Sequence, residues 1–271
     1  MQDNAYSDIG FSRTELQHEY GDSVHILSDP FSLQRLSRLC SPGTIQPEVC
    51  FLVRELYRDL LRDVMNLEFP RVHIRTDTRM KEYTERGQFT GSVLDPDTRV
   101  TTVDVARAGI LPSQVCFETL SAVLSPGAVR QDHLMMSRTL DADEHVTGAG
   151  IGGIKLAGPA DGRIILFPDP MGATGSSLST AIQFYKDQKT GSPARILTMN
   201  LIITPEYIRR IQSDHPDVTI YAVRLDRGLS SEEVLNSIPG SRWDEERGLT
   251  DNHYIVPGGG GFGEVLNNAL E

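Results

Sequence analysis

Asp169 opens a run of small and hydroxylated residues, Asp169-Pro-Met-Gly-Ala-Thr-Gly-Ser-Ser177. Gly172, Ala173, Thr174, Gly175, Ser176 and Ser177 carry no bulky side chain, so a ligand can come close to the backbone. Leu178, Ala181, Ile182 and Tyr185 follow at helical spacing. Backbone N–H groups at the opening of a helix favour an anion, and the hydroxyls of Thr174, Ser176 and Ser177 add donors. Residues 164–167 are an apolar run of strand length, which places Asp169 at the carboxyl end of a strand, where open α/β sheets bind ligands. Phosphate for the loop and sugar hydroxyls for the carboxylate fit this chemistry. No Lys follows the glycine as in a Walker loop, and the three spaced glycines of a dinucleotide site are missing. A plain strand–turn–helix connection also fits the small-residue turn taken alone.

Three other stretches can add to such a site. Arg107-Ala-Gly109 follows a β-branched strand over residues 99–106. Arg138 heads a segment, residues 138–162, with six glycines and several acids, which reads as a mobile loop. Tyr254-Ile-Val-Pro-Gly-Gly-Gly-Gly-Phe-Gly-Glu264 places four consecutive glycines after an apolar strand, exposing main-chain groups to a flat heterocycle or forming a turn before a terminal helix.

The elements that must position these residues alternate. Helices are expected over residues 29–39 and from Pro47, the second with a stripe of Val53, Leu56, Tyr57, Leu60, Leu61 and Val64. These two helices read as a packing or dimer lobe. Strands are expected at 72–76, 99–106, 133–137, 164–167, 196–203 and 218–224, with helices at 112–124, after 177 and at 205–212; residues 81–97 suit a hairpin. The pattern implies an α/β parallel sheet flanked by helices. Residues 1–25 form a polar tail, with residues 1–20 loosely ordered. Residues 26–271 form a single domain whose core spans about 99–225, with a smaller hood and dimer lobe from 26–98 and 226–271. Residues 226–253 are charged and irregular, with Trp243 as their packing anchor.

The 271 residues carry a formal charge of −11, which argues against non-specific nucleic-acid or anionic-membrane binding. A polyphosphate would need locally placed arginines or a metal ion. No apolar run approaches the roughly 18 residues of a membrane span. The N-terminus lacks the basic and apolar regions of a signal peptide. Cys40, Cys50 and Cys116 suit a reducing cytoplasm better than a disulfide framework. The seven histidines have no metal-ligand spacing, and Asp141, Asp143 and Glu144 read as a solvated acidic patch.

In chain order these stretches resemble the uracil phosphoribosyltransferase family, of the type I phosphoribosyltransferase fold, over roughly residues 26–264. Residues 169–177 resemble the family's loop for 5-phosphoribosyl diphosphate (PRPP). Arg107-Ala-Gly109 is similar to its diphosphate turn, Arg138 to its second PRPP-binding arginine, and Lys155-Leu156 to the end of its flexible loop. The resemblance implies transfer of phosphoribose from PRPP to uracil, giving UMP and diphosphate, in pyrimidine salvage. It assigns PRPP to Arg107, Arg138, Asp169, Pro170, Met171, Gly172, Ala173, Thr174, Gly175, Ser176 and Ser177. Of these, Asp169, Arg107 and Arg138 act on the chemistry. The base falls to Tyr254, Ile255, Gly260, Gly261 and Phe262. It implies Mg2+ carried by PRPP, with no metal site of the protein's own, a homodimer or higher homo-oligomer, and a GTP effector. The family's last motif usually reads Tyr-Ile-Val/Ile-Pro-Gly-Leu-Gly-Asp-Ala-Gly-Asp. Here Gly259 stands for Leu, Gly261 for Asp, Phe262 for Ala and Glu264 for the final Asp. A regulatory PRPP-binding protein of the same fold, or an enzyme for another base, is the alternative; Glu264 or Asp251 reaching back to replace the missing acid would preserve the uracil reaction.

Overall fold

The computed structural model describes residues 4–140, 146–188 and 191–268, with the side chains of residues 137–149 excepted. In chain order the elements are β1 (Val24–Ile26), α1 (Pro30–Leu39), α2 (Glu48–Glu68), β2 (Arg71–Asp77), β3 (Gln88–Leu94), β4 (Val100–Ala106), α3 (Ile110–Ser121), β5 (Val129–Leu140), β6 (Val146–Lys155), β7 (Ile164–Pro168), β8 (Met171–Gly172), α4 (Ser176–Asp187), β9 (Arg195–Ile203), α5 (Pro205–Asp214), β10 (Val218–Leu225), α6 (Glu232–Leu235) and α7 (Phe262–Asn267).

The main sheet runs β1-β10-β9-β7-β4-β5-β6, with β8 added beside β9. Every pair in it is parallel except β5–β6. Alternation along β7 divides the core. Ile164 and Leu166 join one buried cluster with α1, α2 and α3, while Ile165 and Phe167 join another with α4 and α5. A buried parallel sheet needs helices on both faces, and the apolar run of β7 supplies both sides. β2 and β3 form a separate antiparallel hairpin, to which the polar stretch from residue 81 contributes the turn and second strand.

Helix ends follow local chemistry. Asp29 caps α1, its carboxylate accepting from the N–H groups of Phe31 (2.9 Å) and Ser32 (3.0 Å), and Pro30 opens the first turn. The helix expected from residue 112 begins at Ile110, directly after the Arg107 turn.

Three expectations are corrected. Residues 138–162, read as a mobile loop, contain the end of β5 and all of β6, which pair antiparallel from His133↔Lys155 to Leu140↔Val146. The short strand expected at 133–137 is therefore twelve residues long. Ladder bonds use the main chain, so the glycines of β6 do not prevent pairing, while Val146, Thr147, Ile151 and Ile154 supply β propensity. Two register shifts absorb the mismatch. The polar N-terminal stretch is tied in, not loose. The Leu16 N–H donates to Ile26 O (2.9 Å), Tyr20 is 3% exposed, and β1 joins the sheet beside β10. Lastly, the α2 stripe from Val53 to Val64 is buried against the chain's own core, so it offers no face to a second copy. Asp141, Asp143 and Glu144 lie outside the described residues.

Candidate functional site

The turn after β7 is held from behind by β9 and the start of α5. The Asn200 side chain donates to Asp169 O (2.7 Å), Thr204 N–H to Gly172 O (3.1 Å), and Thr204 Oγ1 to Ala173 O (2.7 Å). Leu201 and Ile202 N–H groups both reach Pro170 O (3.1 Å each). The carbonyls are thus tied back into the sheet. Behind them, buried Tyr207 donates its hydroxyl to Asn200 Oδ1 (3.0 Å). On the other side, the loop leads into α4, twelve residues long, whose N-cap Gly175 offers no side chain; only the Ser176 N–H donates to a side chain, Thr174 Oγ1 (3.3 Å). Its first N–H groups have no partner within the helix. Gly175 adopts φ +76°, which only glycine enters without strain.

Asp169 lies half-buried at the strand end. Its Oδ1 accepts the Met171 N–H (3.0 Å). Burial pushes its carboxyl up to about 6, against the smaller downward pull of that bond. Among the described residues its one hydrogen-bond donor is the Met171 N–H.

Asp169, Met171, Gly172, Ala173, Thr174, Gly175, Ser176 and Ser177 line one cavity of about 210 Å³ together with Ala108 and Phe262. The turn after β4 thus meets the turn after β7, across the sheet's carboxyl edge. Arg107 sits at that rim, its Nη2 3.1 Å from Glu264 Oε1. Pro170 is buried beneath the loop. β5 carries Arg138 in register with Ala149 on the arm; its side chain lies outside the described set.

The C-terminal motif is rigidly clamped. Arg224 and Asp226, at the end of β10, pair through two contacts (2.6 and 2.7 Å). Asp226 Oδ2 accepts Gly258 N–H (2.7 Å), and Arg224 donates to Gly258 O (3.1 Å). Gly258 has φ +61°, and a Cβ there would stand 2.2 Å from Ile255 O. The proposed base residues separate. Phe262, 3% exposed, faces the phosphate-loop cavity, whereas Gly260 lines a neighbouring cleft of about 320 Å³ with Cys40 and Val49. Ile255 packs on the core and Tyr254 is exposed. The departures in this motif pair in space. A Cβ on Gly259 would lie 2.9 Å from Cys40 Sγ, 3.1 Å from the Met171 methyl and 3.3 Å from the Phe262 ring, so these side chains leave no room for one. A Cβ on Gly261 would lie 2.6 Å from Glu264 Oε2, so the Glu264 carboxylate folds back over Gly261. Asp251 is exposed.

A family model described as uracil phosphoribosyltransferase matches residues 26–241. The chain belongs to the uracil phosphoribosyltransferase family. A uracil phosphoribosyltransferase of Streptococcus mutans is 31% identical over 244 residues, covering 89% of this chain and 96% of the relative. One from Caldanaerobacter subterraneus is 36% identical over 112 residues, 41% of this chain and 42% of the relative; several such matches span less than half of the relative's length. A solved structure of a protein from Aquifex aeolicus superposes with a TM-score of 0.67 at 20% identity, covering 90% of this chain and 97% of that one. That likeness carries the fold alone: a mostly parallel sheet flanked by helices.

Asn200, Thr204 and Tyr207 are the site residues that sequence reasoning missed. Their signal was present: Asn200 is a polar residue inside the apolar run of β9, and a buried amide needs a partner. The 226–253 segment is an ordered lobe. Buried Glu246 accepts from Arg227 (2.8 Å), from Gly240 N–H (2.9 Å) and from the Tyr20 hydroxyl. Trp243 packs edge-on against Tyr20 at 5.0 Å and donates to Pro205 O (3.1 Å), as an anchor should.

Proposed function

We propose that this protein is a uracil phosphoribosyltransferase of pyrimidine salvage, joining uracil to the phosphoribosyl group of PRPP. The observation that carries the reading is the single cavity in which the uncapped start of α4, the Asp169 carboxylate and the Arg107 turn meet. The 5′-phosphate binds the N–H groups and hydroxyls from Gly172 to Ser177. The ribose hydroxyls donate to Asp169. Arg107, with Arg138 from the arm, receives the diphosphate. The base lies beside Phe262 at the edge of the phosphate-loop cavity, with Gly260 opening on the neighbouring cleft and Tyr254 and Ile255 standing apart. As the bond from uracil N1 to ribose C1 forms, the C1–oxygen bond to diphosphate breaks and the N1 proton passes to solvent. The protein's part is positioning and charge stabilisation around an oxocarbenium-like C1.

In this reading Mg2+ would arrive on the diphosphate of PRPP and would supply neutralisation of the leaving group beside Arg107.

The cytoplasmic placement is supported by cysteines that are unpaired with one another; no described helix is long and apolar enough to cross a membrane. Self-association and a GTP effector come with the family reading. Exposed Met135 and Ile154 on the β5–β6 arm support the first, and light scattering with and without GTP tests both. The catalytic reading is tested by incubating the protein with PRPP, Mg2+ and each nucleobase and separating the nucleotides formed. UMP from uracil is the expected product. PRPP binding without any nucleotide favours the regulatory alternative, and a different nucleotide favours another base.

A further inference from the structure

Arg107 and Glu264 adjoin Ala108 and Gly263, which line the cavity, and their contact of 3.1 Å joins the β4–α3 turn to α7, 157 positions along the chain. We infer that Glu264 is a positioning residue for Arg107, an internal carboxylate that occupies the guanidinium until the substrate's diphosphate displaces it. The inference rests on the reading that this cavity takes PRPP.

Four observations support it. First, none of the residues lining the cavity is basic, so a polyphosphate has reason to recruit the arginine at its edge. Second, the carboxylate is folded back over its own loop: Oε2 occupies the space beside Gly261 that a side chain there would fill. Third, α7 is fixed from below by Phe262 and Leu266, both buried, so Glu264 is presented from an anchored turn. Fourth, the pair is half-exposed, with side-chain exposures of 56% and 44%. Exposed ion pairs are weak, so a diphosphate of higher charge replaces the carboxylate readily. An anchored carboxylate that points at the ligand's arginine keeps that side chain in place before binding, and it sets a small, defined penalty on anion entry.

The geometry supplies two variants. Glu264→Gln removes the competing charge. Gly261→Ala leaves the charge but fills the space that Oε2 occupies, and φ −74° at that position accepts alanine. Titration calorimetry with inorganic diphosphate and with UMP, at fixed Mg2+, reads the outcome, with melting temperature as the folding control. Both variants should bind diphosphate about two- to fivefold tighter than wild type. In Glu264→Gln, UMP affinity should stay unchanged, because UMP carries no diphosphate. In an Arg107→Ala background Glu264→Gln should have no effect. In turnover of Glu264→Gln, KM for PRPP should fall while KM for uracil holds. Unchanged or weaker diphosphate binding in Glu264→Gln, with wild type binding diphosphate normally, overturns the displacement role alone. Folded wild type and variants that all ignore diphosphate and PRPP at millimolar concentration overturn the PRPP reading itself, and this inference with it.

Discussion

Asp169→Asn should stabilise the protein while disabling it. Burial raises the Asp169 carboxyl from its ordinary 3.8 to about 6. A group whose folded value lies above its unfolded value favours folding fully only below the unfolded value. That advantage is lost as pH rises through 4 to 6, because the folded state then binds more protons than the unfolded one. Above pH 6 the ionised carboxylate therefore costs about 3 kcal/mol, on the order of 1.4 kcal/mol for each step of pH. Asparagine keeps the Oδ1 acceptor that receives Met171 N–H and carries no charge to desolvate. Its melting temperature should exceed wild type by roughly 5 °C or more at pH 7.5, and the difference should vanish below pH 4. Wild-type affinity for PRPP should fall about tenfold per pH unit below 6, beyond any fall seen with inorganic diphosphate, which shares the titrating phosphates but has no ribose. In Asp169→Asn that excess dependence should be absent and PRPP binding weak throughout. Scanning calorimetry across pH and titration calorimetry with both ligands measure these effects. An Asn variant that melts at or below wild type at pH 7.5 would refute the claim that this carboxylate is held desolvated; one that binds PRPP normally would refute its contact with the ribose.

Three further outcomes follow from the geometry. Arg107→Ala should weaken PRPP and diphosphate by tenfold or more, the order of a charge-assisted contact, with little change for UMP; equal losses for all three ligands would place Arg107 outside the diphosphate site. Gly258→Ala puts a Cβ against Ile255 O at a positive φ, which costs about 1–3 kcal/mol; KM for uracil should rise with KM for PRPP nearly constant, and steady-state kinetics giving the reverse would move the base elsewhere. Glu246→Gln breaks a buried pair with Arg227, which costs about 3–5 kcal/mol; an unchanged denaturation midpoint would show that the 226–253 lobe does not brace the N-terminal segment.

How much of this was legible in the sequence depended on how local each signal is. β7, the loop after it and α4 were readable because an apolar run, a turn of small residues and a helical stripe follow one another within 25 residues. β9, α5 and β10 were readable for the same reason, to within two residues at each end. The β5–β6 arm was not, because glycine content is a side-chain statistic while strand pairing is a main-chain matter, settled by the partner strand. The α2 stripe was correctly apolar, but a stripe does not say whether its own sheet or another copy covers it. Residues 1–20 looked loose because the partners of Glu19 and Tyr20, Pro239 and Glu246, lie more than 200 positions away. The same distance hid the meaning of the altered C-terminal motif. Read in line, Gly259, Gly261, Phe262 and Glu264 are four separate departures. In space Phe262 packs beside Gly259 and the Glu264 carboxylate lies against Gly261.

The most direct test of the central claim is product formation by the wild-type chain. Purified protein is mixed with PRPP, Mg2+ and labelled uracil at neutral pH, and the nucleotides are separated by anion exchange. The account predicts UMP and diphosphate in equal amounts, with no label transferred when PRPP is omitted and loss of both products in Asp169→Asn. A folded wild type that binds PRPP and uracil together yet forms no UMP would contradict it.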